Sequence, residues 1–115
     1  MNKPKASVTL EDIREVAQQI AERFRPQKIV LFGSYGYGKP TAGSDVDLLV
    51  IMDTPLPNVE QAVEIRRAIE FSFPTDLMVR TPKLVAERLG LGDTFLREVL
   101  GKGAVLYEAD DAGVD

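Results

Sequence analysis

From Leu10 to Phe24 the apolar residues Leu10, Ile13, Val16, Ala17, Ile20, Ala21 and Phe24 return at helical spacing, which predicts an amphipathic helix. Thr9 with Asp12 three residues later gives a capping-box signature at its start, and Pro26 stops it. The period then changes. Lys28–Phe32 is a short apolar run that empties into Gly33, and Val46–Met52 is a second run, β-branched and aliphatic; both read as buried strands. Thr54–Pro57 is the turn that follows. Asn58 reads as the cap of another helix, with Gln61 placed to complete a capping box and Val59, Ala62, Val63, Ile65 and Ile69 as its apolar face. Pro74 breaks that segment and Thr75–Val79 reads as a third strand. Thr81-Pro82 opens a helix that Gly90 stops, and a short helix over Asp93–Leu100 precedes a last apolar run, Ala104–Tyr107.

This order predicts an α/β (α+β) fold, a small mixed β-sheet of about three to four strands flanked by helices. The domain is expected over 8–108, with 1–7 and 109–115 as flexible termini, because the acidic, small-residue-rich stretch from Glu108 onward has no periodicity. There is no internal repeat, and 115 residues suit a single core. No apolar run approaches the roughly 18 residues that a membrane span requires, and the first seven residues are polar. The expectation is a cytoplasmic protein with no membrane contact.

Cysteine and histidine are both absent, which removes thiolate nucleophiles, zinc sites built on those residues, and imidazole acid–base chemistry. Chemistry in this chain must use carboxylates, hydroxyls or amines. A net charge of -4 argues against a partner held by phosphate neutralisation along a long nucleic acid. Lys39, Arg66, Arg67 and Arg80 are either solvated surface charges or parts of a small basic pocket.

The informative stretch is Gly33 to Val50, GSYGYGKPTAGSDVDLLV, where a strand enters a glycine-rich turn and a second strand opens on two aspartates. Asp45 and Asp47 are two residues apart, so both side chains leave one face. Two ionised carboxylates about 4–6 Å apart repel by roughly 1–4 kcal/mol, which opposes folding unless a cation or proton intervenes. A hard divalent ion is the simplest remedy. Asp76, at the start of the third strand, either caps that strand at the surface or joins the pair; strand alternation sets Asp76, Met78 and Arg80 against Leu77 and Val79. Three carboxylates can hold two magnesium ions, the arrangement of phosphoryl and nucleotidyl transfer. The turn supplies the complementary part: backbone N–H groups after Gly33, Ser34 at the mouth of a short helix, and Gly36 and Gly38 permitting close approach of a phosphate. Two rival phosphate motifs fail. Gly33-x-x-x-x-Gly38-Lys39 lacks the hydroxyl residue of a P-loop, having Pro40 there, and a dinucleotide fingerprint would need glycine where Thr41 stands.

Gly33-Ser34, ten residues, then Asp45-x-Asp47 resembles the signature of the DNA polymerase beta-like nucleotidyltransferase superfamily, and of its minimal (MNT) members in particular, over roughly residues 10 to 107. The resemblance implies a polymerase-beta-like core. It implies Asp45, Asp47 and Asp76 as catalytic and metal-binding carboxylates, Asp76 also as base, with two Mg2+ ions and ATP. Gly33, Ser34, Tyr37, Gly38, Lys39 and Ser44 would form the nucleotide-binding set. It further implies AMP transfer to a hydroxyl, with a tyrosine of a partner HEPN-domain toxin as acceptor in a hetero-oligomeric toxin–antitoxin pair. Tyr35 and Tyr37 depart from the arginine that many relatives carry in this loop. The alternatives are a non-catalytic antitoxin that blocks its toxin by contact, and nucleotidyl transfer to a small molecule or an RNA end. Phe95, Leu96 and Leu100 are either contacts for a partner that presents the acceptor or parts of the core.

Overall fold

The computed structural model describes residues 8–41 and 43–110; the expected loose termini, apart from Ala109 and Asp110, lie outside them. Helix α1 (Leu10–Phe24) starts at a complete capping box: Thr9 Oγ1 accepts from the Asp12 N–H at 3.0 Å, and Asp12 Oδ2 accepts from the Thr9 N–H at 2.9 Å. It ends where Arg25 turns left-handed, at φ 48°, ahead of Pro26. Strand β1 (Lys28–Phe32) leads into a single helical turn, α2 (Gly33–Gly36), and then β2 (Val46–Ile51). Helix α3 (Asn58–Ala68) carries the chain to β3 (Thr75–Arg80); α4 (Pro82–Gly90), α5 (Thr94–Lys102) and β4 (Ala104–Glu108) complete the sequence of elements.

The four strands form one mixed sheet in the order β3-β2-β1-β4. β1 is antiparallel to both of its neighbours, and β2 and β3 run parallel, joined through α3. Helices cover both faces. Ile29 and Leu31 of β1, Val46, Leu48 and Val50 of β2, and Leu77 and Val79 of β3 pack with Ile13, Val16 and Ile20 of α1 and Ile65 of α3. Val30 and Phe32, with Leu49 and Ile51, pack on the opposite face against Val85 of α4 and Leu96 and Val99 of α5. Strands buried on both faces read as unbroken apolar runs, which is why β1 and β2 stood out in the sequence.

Three local expectations are corrected. Asn58 is the first residue inside α3, not its cap: Pro57 occupies the cap position, with no side-chain bond. Gln61 does not reach back to complete a box; it is buried, and its Oε1 accepts from Thr54 Oγ1 at 2.6 Å. Val59 and Val63 lie outside the core, 75% and 41% exposed. Gly90 is the last residue of α4, as expected, and the left-handed turn follows at Gly92, φ 85°. At the far end the chain is held longer than the acidic composition suggested. Glu108 pairs with Lys28 at 3.6 Å, and the Ala109 N–H donates to the Gln27 carbonyl at 2.9 Å.

Candidate active site

The turn after β1 is built around two glycines that no other residue could replace without movement. Gly33 has φ 69°, and a Cβ there would run into the Asp47 carboxylate. A Cβ on Gly36 would run into the Leu31 carbonyl. The turn closes with the Tyr37 N–H donating to the Gly33 carbonyl and the Lys39 N–H to the Ser34 carbonyl, both at 2.8 Å. Those two amides are therefore engaged, whereas the first N–H groups of a helical turn have no intrahelical acceptor. Gly38, at φ 83°, has open space about it. Ser44 closes the far side of the loop: its Oγ accepts from the Thr41 N–H at 2.8 Å and lies 3.1 Å from Thr41 Oγ1.

The two tyrosines of the turn go to opposite faces of the sheet. Tyr35 packs on the core beneath α1 and Tyr37 on the core beneath α4 and α5. The loop is thus pinned from both sides by apolar burial, a use of these residues that the sequence did not reveal. The only signal was their i, i+2 placement around a glycine. Tyr37 also has Asp47 and Glu98 nearby, and burial, followed by the Glu98 charge, raises its phenol pKa above the ordinary value.

Asp47 is the second residue of β2. In the antiparallel pairing it stands opposite Phe32, next to Gly33; in the parallel pairing it stands opposite Asp76. The side chains of β2 alternate, with Leu48 and Val50 toward α1 and Leu49 and Ile51 toward α4 and α5, so Asp47 takes the second face. Met78 packs on that same face, which puts Asp76 there too. Asp45 has the same parity, just before the strand begins, and is exposed. Asp47 is partly buried, and its carboxyl pKa is raised by that burial first, then by the charges of Asp76 and Asp45. The three aspartates are therefore brought to one face at one end of the sheet, within each other's fields. Among the described residues, no three His, Cys, Asp or Glu side chains converge as a ready metal cage. The donor set is nonetheless all hard carboxylate oxygen. The clustering of negative charge around Asp47 is of the kind a hard divalent cation neutralises, and the residues fit such an ion in donor type and charge.

The basic residues do not gather into one pocket. Arg66 donates to the Thr75 carbonyl and lies over the Phe71 ring, while Arg80 is at the opposite end of β3 from Asp76 and donates to the Val79 carbonyl. Of the three C-terminal apolar residues, Leu96 is buried and Leu100 partly so, whereas Phe95 is 44% exposed and meets Phe32 edge-on, ring centroids 5.6 Å apart.

A strand, a glycine turn pressed on a carboxylate, and a second carboxylate in register on the next strand can be compared with known proteins. The model of the nucleotidyltransferase domain matches residues 13–102. This chain belongs to that family. The protein adenylyltransferase MntA of Thermococcus cleftensis is 31% identical over 101 residues, 83% of this chain and 97% of the relative. The "Putative protein adenylyltransferase" of Methanocaldococcus jannaschii is 29% identical over 109 residues, 93% of this chain and 100% of the relative. The chain thus covers nearly the full length of two small nucleotidyltransferases of MNT type, and is itself a nucleotidyltransferase, with a nucleotide as substrate. The mixed four-stranded sheet with helices on both faces agrees with a polymerase-beta-like core. Among the described residues no helix is long and apolar enough to cross a membrane.

Proposed function

We propose that this nucleotidyltransferase moves AMP from ATP to a tyrosine hydroxyl of a partner HEPN-domain toxin, in the cytoplasm and with magnesium, and so acts as an antitoxin. The observation that carries the site is the row Gly33–Asp47–Asp76: the turn lies against one carboxylate, and the next strand brings a second beside it. The names of the two relatives, "Protein adenylyltransferase MntA" and "Putative protein adenylyltransferase", support a protein acceptor.

In this reading the first N–H groups of α2 and the Ser34 hydroxyl hold the phosphates of ATP. Asp45, Asp47 and Asp76 would hold the divalent ions, which when bound neutralise the triphosphate and lower the pKa of the attacking hydroxyl. Asp76, exposed on its edge strand, is open to an acceptor from outside and takes the proton of its hydroxyl. The acceptor oxygen attacks the α-phosphorus, one O–P bond forms, the bond to the bridging oxygen breaks, and pyrophosphate leaves with that electron pair. Gly33 keeps the backbone close to Asp47 throughout, and the partly buried rings of Tyr35 and Tyr37 stop the turn from swinging away.

The test is incubation with radiolabelled ATP and magnesium, with and without a HEPN-domain protein encoded beside this chain, followed by intact mass of both proteins. AMP on the partner that is lost with Asp47→Asn supports the reading. An unmodified partner that is still neutralised would replace it with inhibition by contact alone.

A further inference from the structure

Away from the carboxylates, an open groove of about 460 Å3 runs between the first turn of α3, the end of β3, and helices α4 and α5. Val59 lines it, 75% exposed at the start of α3, as does Phe95 from the first turn of α5. A second groove of about 490 Å3 adjoins it, sharing Arg88, Asp93 and Phe95 and adding Leu91, which is 79% exposed. Three of the seven exposed large apolar side chains among the described residues, the two most exposed included, therefore lie along one channel, an arrangement that marks interaction sites rather than scattered surface apolars.

The charge of the channel is opposite to that of the protein. In a chain of net charge -4, it carries two guanidiniums, Arg80 and Arg88, against one carboxylate, Asp93. Asp93 and Arg88 are already paired with each other, Arg88 Nε donating to Asp93 Oδ2 at 3.0 Å while the Leu96 N–H donates to Oδ1 at 2.9 Å, so the net positive charge of the lining rests on Arg80. Among the described residues the Arg80 guanidinium bonds only the Val79 carbonyl beside it. At Phe95 the channel borders β1, the strand that leads into the glycine turn. Phe95 touches Phe32, which stands opposite Asp47 in the strand register.

From this we infer that the α3/α4/α5 channel is the docking site for an acidic, amphipathic segment of the acceptor protein, its apolar face on Val59, Leu91 and Phe95 and a carboxylate on Arg80. The role of that segment, delivering the acceptor hydroxyl past Phe32 to the carboxylate row, rests on the function proposed above; the binding itself does not.

The probes are two fluorescein-labelled amphipathic peptides, one built of leucine, glutamate and a single tyrosine, the other with glutamine replacing glutamate. Fluorescence anisotropy should show the glutamate peptide binding about tenfold more tightly. Val59→Glu and Arg80→Glu should each remove about tenfold of its affinity. Val59 is too exposed for its variant to disturb folding, so an unchanged melting temperature is expected there. Equal affinity for the two peptides, or unaltered binding by Val59→Glu, overturns the assignment. So does a concentration-dependent dimer that Val59→Glu abolishes, since a second copy would then fill the channel. AMP transfer from ATP to the peptide tyrosine is read in the same samples. Charge-selective binding without transfer leaves the channel standing and removes the acceptor reading; transfer without charge selectivity does the reverse.

Discussion

Replacing Asp47 by asparagine should make the metal-free protein more stable while abolishing transfer. Asp47 and Asp76 are register partners on adjacent strands, whose backbones run about 4.8 Å apart. Two charges about 5–6 Å apart repel by roughly 0.7–3 kcal/mol across effective dielectrics of 80 to 20. Asp47 is only partly buried and Asp76 is exposed, so solvent screening favours the low end, about 1 kcal/mol. In a domain of this size that is a rise in melting temperature of about 4–5 °C. The folded state holds the Asp47 proton more tightly than the unfolded chain does. Stability is therefore fully present below the ordinary carboxylate pKa and falls as pH rises through the raised one. The gap between variant and wild type should accordingly be open at pH 7 and close near pH 3. Magnesium should reverse the order, because an ion bound only by the folded wild type stabilises it by mass action. Thermal unfolding at pH 3 and pH 7, with chelator or with magnesium, reads all of this. A variant no more stable than wild type at pH 7 in chelator, or a gap that persists at pH 3, refutes the electrostatic account of the site.

Gly33→Ala should cost about 1–2 kcal/mol for the left-handed backbone alone, with a further cost as its Cβ displaces the Asp47 carboxylate; urea denaturation and transfer rate should both show the loss. Thr54→Val should destabilise by about 1–3 kcal/mol, since it strands the buried Gln61 amide oxygen, while Asn58→Ala should fall within about 0.5 kcal/mol. Denaturant midpoints of the two variants in parallel test which residue organises the start of α3. Asp93→Ala should destabilise at neutral pH and cease to matter in acid. The Leu96 N–H first, then the Arg88 bond, hold the Asp93 pKa low, so its contribution is present above the ordinary carboxylate pKa and lost as pH falls through the lowered one. A melting-temperature difference between Asp93→Ala and wild type that is independent of pH would show that the cap acts through shape alone.

The elements that could be read from the sequence are those whose signal is local. The α1 stripe with its Thr9 box, the apolar runs of β1 and β2, and Thr81-Pro82 before α4 each declare themselves within a few residues. The start of α3 could not be read that way. Asn58 and Gln61 have cap spacing, but Pro57 takes the cap position at ψ 147° and Thr54, four residues before Asn58, captures Gln61 from the preceding loop. Asp76 illustrates the same divide. Its partition from Leu77 and Val79 followed from alternation, but which face it took depended on the parallel register with β2, a contact between residues far apart in sequence. The rings of Tyr35 and Tyr37 likewise had no destination until both faces of the sheet were filled.

The parallel register of β2 and β3 has a consequence for what misfolding can look like here. Asp76 and Leu77 are consecutive, one on the carboxylate row and the other in the core beneath α1 and α3. A slip of one residue exchanges their places along the whole strand, driving Asp76 and Met78 inward and Leu77 and Val79 outward. No correctly packed yet catalytically dead isomer is reachable by that route, because the displacement that would empty the active site also drives a carboxylate into the apolar interior. Purified protein that has retained its core has, by the same geometry, retained the alignment of its carboxylates.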